Sequence, residues 1–276
     1  MRVIHQVHPE DFARYNTQQI RDKFLLNNLV QQDAIIQTYT HYDRMMCGVA
    51  FPVTKPIELV TYDQLKSEYF LERREVGIIN IAGTGTVQVD GEKYTMNRLD
   101  CLYVGKGKKE VVFSSNNAEE PAKFVLISCP AHKEHPVQLM HPADATPTEL
   151  GTAETANHRV INKYIHADGL KSCQLVMGLT NFKPGSLWNT MPAHTHDRRS
   201  EVYFYFNLPE NQRVIHFMGE AEETRHMFVA NEEAIVSPAW SIHSGVATAS
   251  YSFIWAMAGE NLSFTDMDFI DIKTLK

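Results

Sequence analysis

Residues 191–204 read MPAHTHDRRSEVYF, and the reading of the whole chain starts from this stretch. His194 and His196 flank Thr195. In extended backbone both imidazoles leave the same face, because successive side chains alternate sides. Glu201 follows five residues after His196, across a short bend at 197–200, and can return to that face as it opens an apolar run. A third imidazole comes from Pro238-Ala239-Trp240-Ser241-Ile242-His243, which only the fold can bring in. Three neutral imidazoles and one carboxylate suit Zn²⁺, Fe²⁺ or Mn²⁺, with positions left open for water or substrate.

Around this stretch the chain reads as short strands rich in β-branched residues. In the second half they fall at 174–179, 202–207, 213–218, 233–237 and 251–257; in the first half at 76–81, 86–89, 99–104, 111–114 and 124–127. Asp90-Gly91 between two such runs is a hairpin signal. Many short strands at regular spacing predict a sandwich or barrel. The best amphipathic helix candidate is 8–29, HPEDFARYNTQQIRDKFLLNNL, and 58–69 offers another turn or two. Pro130, Pro136, Pro142 and Pro147 break up the stretch that follows, which reads as a connecting segment over the surface. His132, His135 and His141 within it read as solvated loop residues.

The two halves resemble each other. Cys47 and Cys173 each precede an apolar run, and Glu75-Val76 and Glu201-Val202 each open a strand, both at an offset of 126 residues. A repeat of this length is a duplicated domain. The expected organisation is an N-terminal helical segment at 1–30, a first β domain at 31–130, a connecting segment at 131–155 and a second β domain at 156–276.

Composition narrows the function classes. With 276 residues, 43% hydrophobic and 21% charged, the chain can bury a real core. Its net charge of −7 argues against a general nucleic-acid or membrane-surface binder, since both require a positive field. The opening MRVIHQVHPEDFARYN does not read as a secretory signal, and no run approaches the roughly 18 apolar residues of a spanning helix. Cys47, Cys101, Cys129 and Cys173 form no C-x-x-C pair, which fits reduced thiols and a cytoplasmic location.

The frame Gly185, His194-x-His196-x-x-x-x-Glu201, Pro238-x-Trp240-x-x-His243 resembles the two signature motifs of the cupin superfamily, with Trp240 at the usual glycine and no asparagine after the last histidine. Counted back from Glu75, the first half carries Glu68 and Phe70 at the two histidine places, and Glu110 at the last one. The resemblance therefore implies a mainly β chain of two tandem cupin (double-stranded β-helix, or jelly-roll) barrels with a few short, chiefly N-terminal helices. One barrel would be degenerate and one metal-bearing. Across essentially the whole chain, the opening 26 residues, Asn157–His166 and Met191–Arg199 closely resemble the 5-keto-4-deoxyuronate isomerase family. That resemblance implies a zinc-dependent hexamer acting in pectin breakdown, with one zinc per subunit held by His194, His196, Glu201 and His243. At those four positions the chain shows no departure.

The implied reaction turns 5-dehydro-4-deoxy-D-glucuronate into 3-deoxy-D-glycero-2,5-hexodiulosonate by moving a carbonyl from C1 to C2 through an enediol. A Lewis acid on the carbonyl and neighbouring hydroxyl acidifies the C–H, and a general base shuttles the proton. For the base three kinds of group are open: a hydroxide at the metal, a tyrosine, or a carboxylate on a neighbouring strand. The C6 carboxylate calls for a cation, and Arg159, Lys163, Arg198 and Arg199 are the candidates. Alternation puts Arg159, Ile161, Lys163 and Ile165 on one strand face. Trp188 and Trp240 are candidates for pocket walls or for core. Competing readings are a 5-deoxy-glucuronate isomerase of inositol breakdown, a cupin Fe(II) dioxygenase that would consume oxygen, and a non-catalytic sugar-binding bicupin. One barrel hosts many chemistries, so fold alone does not choose among them.

Overall fold

The apolar runs of the large sheets become strands buried on both faces, while those of the smaller sheets, such as Gly85–Val89, alternate. A computed structural model describes residues 1–276. In the first half a seven-stranded sheet runs in the order Arg2–Ile4, Ala34–Thr40, Met46–Phe51, Phe124–Pro130, Arg74–Asn80, Cys101–Val104, Gln138–Met140. A four-stranded sheet, Ile57–Glu58, Val111–Ser115, Gly85–Val89, Glu92–Met96, closes over it. The second half repeats the plan. Its larger sheet is Thr148–Leu150, Arg159–Ile165, Val176–Phe182, Ser252–Gly259, Arg199–Phe206, Glu233–Ser237, Leu25–Leu26. Its smaller sheet is Trp188–Asn189, Ile242–Ala247, Val214–Glu220, Glu223–Val229. The fold is therefore the mainly β pair of jelly-roll barrels. At the expected hairpin, Asp90 and Gly91 have φ of 48° and 90° between the paired Val89 and Glu92, the backbone of a two-residue primed turn.

The two large sheets pack against each other, which is why their strands read as unbroken apolar runs rather than alternating ones. In the first barrel Val76, Ile78, Leu102, Val104 and Leu126 fill the interior with Val87, Phe113 and Phe124. Their neighbours Ile79, Cys101, Tyr103, Val125 and Ile127 join a continuous core with the second barrel. At the contact, a Cβ on Gly77 would stand 2.4 Å from Met177 Sδ and 2.9 Å from Ile165 Cδ1, so any larger residue would make those side chains shift.

The faces also correct the repeat. Glu201 points into its barrel, but Glu75 points out of its own, toward the second barrel. Its carboxylate accepts the backbone N–H of Cys173, Gln174 and Leu175 at 2.7, 2.8 and 2.9 Å and the Tyr103 hydroxyl at 2.7 Å. Strand pairing shows why. Val76 lies between Ser128 and Val104, as Glu201 lies between Met257 and Ser237. The sequence match was one residue out of step, and one residue changes the face of a strand. Inside the first barrel the place of Glu201 thus belongs to Val76. Glu68 and Glu110 are exposed and Phe70 is buried in the apolar core.

Three segments differ from expectation in instructive ways. The N-terminal stretch forms two short helices, Pro9–Phe12 and Thr17–Phe24, the second opened by a capping box between Asn16 and Gln19. It also supplies a strand to each barrel: Arg2–Ile4 pairs with Ala34–Thr40, and Leu25–Leu26 with Glu233–Ser237. Of helix, residues 58–69 contain only the 3₁₀ turn Asp63–Leu65. The proline-rich stretch holds two edge strands, Gln138–Met140 and Thr148–Leu150, one on each barrel, with the prolines outside them. No helix is long and apolar enough to cross a membrane.

Candidate metal centre

Three pieces of chain carry the donors. His194 lies on the two-residue strand His194–Thr195, which pairs with Asp268–Phe269, and His196 follows it. Glu201 is on the inner face of Arg199–Phe206, and His243 sits opposite Met218 in the smaller sheet. All four side chains are buried and their donor atoms lie within 4.8 Å of one another. His194 Nε2 is 3.2 Å from His196 Nε2 and 3.0 Å from His243 Nε2. Glu201 Oε2 is 2.9 Å from His243 Nε2 and 3.2 Å from His196 Nε2. An ion with bonds of about 2.1 Å holds neighbouring donors roughly 3.0–3.4 Å apart, so the spacing fits one common cation.

Hydrogen bonding supports the same assignment of lone pairs. His196 Nδ1 donates to the Asp266 carbonyl at 2.5 Å, which leaves its Nε2 lone pair facing the centre. Glu201 Oε2 is buried yet accepts no well-aligned hydrogen bond, as befits an oxygen shaped for a cation. Burial would raise the Glu201 carboxyl, but the neighbouring His243 and His196 rings outweigh it and hold it below the usual range. Burial, and then the neighbouring His243, push His194 down to about 3, so its ring is neutral and free to ligate at neutral pH.

A cavity of about 280 Å³ opens on this centre, with His194, His196 and Glu201 in its lining. Tyr203, Thr190, Thr180 and Arg159 add polar groups; Met191, Phe253, Trp255, Met257, Phe264 and Met267 make the rest largely apolar. Of the four candidate cations, Arg159 lines the cavity. Burial lowers its guanidinium, opposed by the phenols of Tyr203 and Tyr251. Ile161, on the same strand face, also lines it. Lys163 lies 5.1 Å over the Phe264 ring outside the cavity, and a bulge between Lys163 and Ile165 ends the alternation.

Arg198 is exposed, pairs with Glu260 and borders a separate groove. Arg199 is buried, and its guanidinium donates to Asn261 Oδ1 at 3.3 Å, to the Ser263 carbonyl and to the Asp266 carbonyl at 3.2 Å. It therefore anchors the segment that orients His196. Trp188 stacks on Phe217, and Trp240 packs on Phe12 and Phe24; neither walls the cavity.

Sequence reasoning missed Trp255, Tyr203 and the C-terminal wall of Phe264, Met267 and Phe269. For Tyr203 a signal existed, since it follows Glu201 by two residues on an alternating strand.

Comparison with known proteins agrees with this architecture. The KduI/IolB family matches residues 25–272. A 4-deoxy-L-threo-5-hexosulose-uronate ketol-isomerase of Halalkalibacterium halodurans is 53% identical over 97% of both chains. The proteins of that name from Formosa agariphila and Shouchella clausii are 54% and 50% identical, covering 97% and 100% of this chain and 96% and 100% of theirs. Among solved structures, an IolB-like protein of Salmonella typhimurium has a TM-score of 0.73 at 16% identity, covering 90% of this chain and 96% of its own. An oxalate decarboxylase of Bacillus subtilis has a TM-score of 0.54 at 9% identity, covering 80% and 70%. These two speak for the fold alone. The extent and level of the sequence matches establish that the chain belongs to the KduI/IolB family.

Proposed function

We propose that this chain is a zinc-dependent ketol-isomerase that converts 5-dehydro-4-deoxy-D-glucuronate into 3-deoxy-D-glycero-2,5-hexodiulosonate in uronate and pectin breakdown. The observation that carries the reading is the convergence of four buried donors, three of which line a cavity that also presents Arg159. It occurs in a chain about half identical, from end to end, to proteins named for a uronate ketol-isomerase. Pocket and relatives together favour the isomerase over a cupin dioxygenase. The 5-deoxy-glucuronate reading has less support, because the IolB-like structure is only 16% identical.

His194, His196, Glu201 and His243 would hold the ion. When bound, zinc supplies Lewis acidity without redox chemistry, lowering the cost of the enediolate. The protein's own part is positional. Arg159 offers a planar fork to the C6 carboxylate. The apolar wall keeps water from the reacting carbons and strengthens electrostatic contacts inside the cavity. The proton inventory closes without an oxidant: the C2 hydrogen arrives at C1, and the hydroxyl proton on O2 moves to O1. A cytoplasmic location accords with four unpaired cysteines, three of them buried, and the homohexamer is part of the same reading.

The test is carbon NMR of purified protein with the open-chain ketouronate labelled at C1 and C2. The aldehyde signal is expected to give way to a C2 ketone, to stall with a chelator and to resume with zinc, without oxygen uptake. Oxygen consumption, or full speed after chelation, would overturn the reading.

A further inference from the structure

We infer that the Tyr203 hydroxyl is a catalytic hydrogen-bond donor, aimed at the substrate oxygen that gains negative charge in the enediolate. The inference rests on the isomerase reading above. Five cavity side chains other than the metal donors carry an N–H or O–H: Arg159, Thr180, Thr190, Tyr203 and Trp255. Trp255 Nε1 donates to Thr180 Oγ1 at 3.2 Å, which commits the indole N–H; the Thr180 hydroxyl keeps its own hydrogen but stands on Val176–Phe182, a different strand from Glu201. Arg159 is the carboxylate partner. The remaining pair is Tyr203 and Thr190, whose hydroxyl oxygens are 2.9 Å apart.

Hydrogen counting gives this pair its use. Two hydroxyls hold two hydrogens, and one of them forms the link between the oxygens. The other is left for a third partner. If Thr190 donates the link, the phenol hydrogen is free, and the incoming bond polarises it further. A phenol is also the stronger donor of the two toward an anionic oxygen.

The ring is held in place for this role. It stands edge-on to His243 with centroids 5.3 Å apart, and packs on Phe253 at 4.8 Å. Tyr203 follows Glu201 on the inner face of one strand, so metal ligand and hydroxyl are fixed by the same backbone. A donor positioned before the charge develops needs no reorganisation when it does. No proton leaves the phenol: the group lends a hydrogen bond and keeps its hydrogen throughout.

The test uses the full-length zinc-loaded protein and the Tyr203→Phe variant, which keeps the ring and deletes the oxygen. Expected are wild-type zinc content and melting temperature, a kcat lower by about 10²-fold, the scale for loss of one such donor, and a KM within a few-fold. A readout independent of turnover is the binding of two inert ligands by calorimetry. A sugar-acid hydroxamate, whose deprotonated form is planar and anionic like the enediolate, is expected to bind Tyr203→Phe at least about tenfold more weakly. A saturated sugar acid without a carbonyl is expected to bind both proteins alike. Unchanged kcat, parallel weakening of both ligands, or loss of zinc from the variant would each overturn the inference. Wild-type protein that converts no ketouronate would instead overturn the isomerase reading and take this inference with it.

Discussion

Glu75 and Leu175 join the two barrels: the Glu75 Oε1 oxygen accepts the Leu175 backbone N–H at 2.9 Å, across 100 residues of sequence. With the amides of Cys173 and Gln174 and the Tyr103 hydroxyl, the carboxylate is saturated by donors. Asp43 returns the contact from the first barrel to the second, accepting Ser200 N–H and Oγ at 2.7 Å each. Ser200 precedes Glu201, so the junction between barrels reaches the backbone of a candidate metal ligand.

Glu75→Gln is expected to cost stability rather than metal. An amide NH₂ would face backbone donors where a carboxylate oxygen now accepts, a loss of roughly 2–4 kcal/mol for a buried, charge-assisted cluster. Urea unfolding measures it, and the zinc-to-protein ratio of the folded variant is expected to match wild type.

His243→Ala and Glu201→Gln are expected to show the opposite balance. Either removes a donor from a four-donor site, so zinc content and turnover both fall to near background while the circular dichroism spectrum persists. Elemental analysis checks this. Glu110→Gln serves as the comparison. Glu110 is exposed on the first barrel and far from the donor cluster in the chain, so the metal content of that variant is expected to stay at the wild-type level.

Gly77→Val tests the approach of the two sheets. Even a Cβ would meet Met177 Sδ at 2.4 Å, and the valine methyls add to that overlap. The flexible Met177 side chain can retreat, so the expected loss is about 1–3 kcal/mol rather than failure to fold. A lowered melting temperature with normal KM is the expected result.

Arg159→Ala and Arg199→Ala separate two tasks assigned to arginine. Removing Arg159 from the cavity is expected to raise KM about 10- to 100-fold with kcat changed little, the pattern of lost uniform binding. Removing Arg199 frees Asn261, Ser263 and Asp266 and loosens the carbonyl that orients His196. Its expected signature is faster zinc loss to a chelator, followed by stopped-flow with a zinc dye.

The strands were legible because two-sided burial writes itself as unbroken apolar runs, as in Val76–Ile81. The donor set was legible because His194, His196 and Glu201 sit close together in the chain. Glu75 stood out for the same reason that Glu201 did, but its task did not, since its partners are backbone amides of residues 173–175. Orientation of His196 depends on the Asp266 carbonyl, a group that every residue carries. Phe264, Met267 and Phe269 follow the last long strand without periodicity, so nothing local marks them as cavity wall. Arg199 looked like a clamp because it lies among the candidate ligands in the chain; its burial, a property of the fold, turns it inward.

Leu25–Leu26 completes the far side of the second barrel's large sheet, although the rest of that sheet comes from residues after 147. The two barrels are therefore stitched together by the amino-terminal segment. A gene fragment encoding only 156–276 would yield Glu233–Ser237 with a bare row of amides and carbonyls, an invitation to aggregate. Anyone seeking a minimal catalyst from this scaffold would have to graft the amino-terminal ribbon back on, or recruit it as a separate peptide.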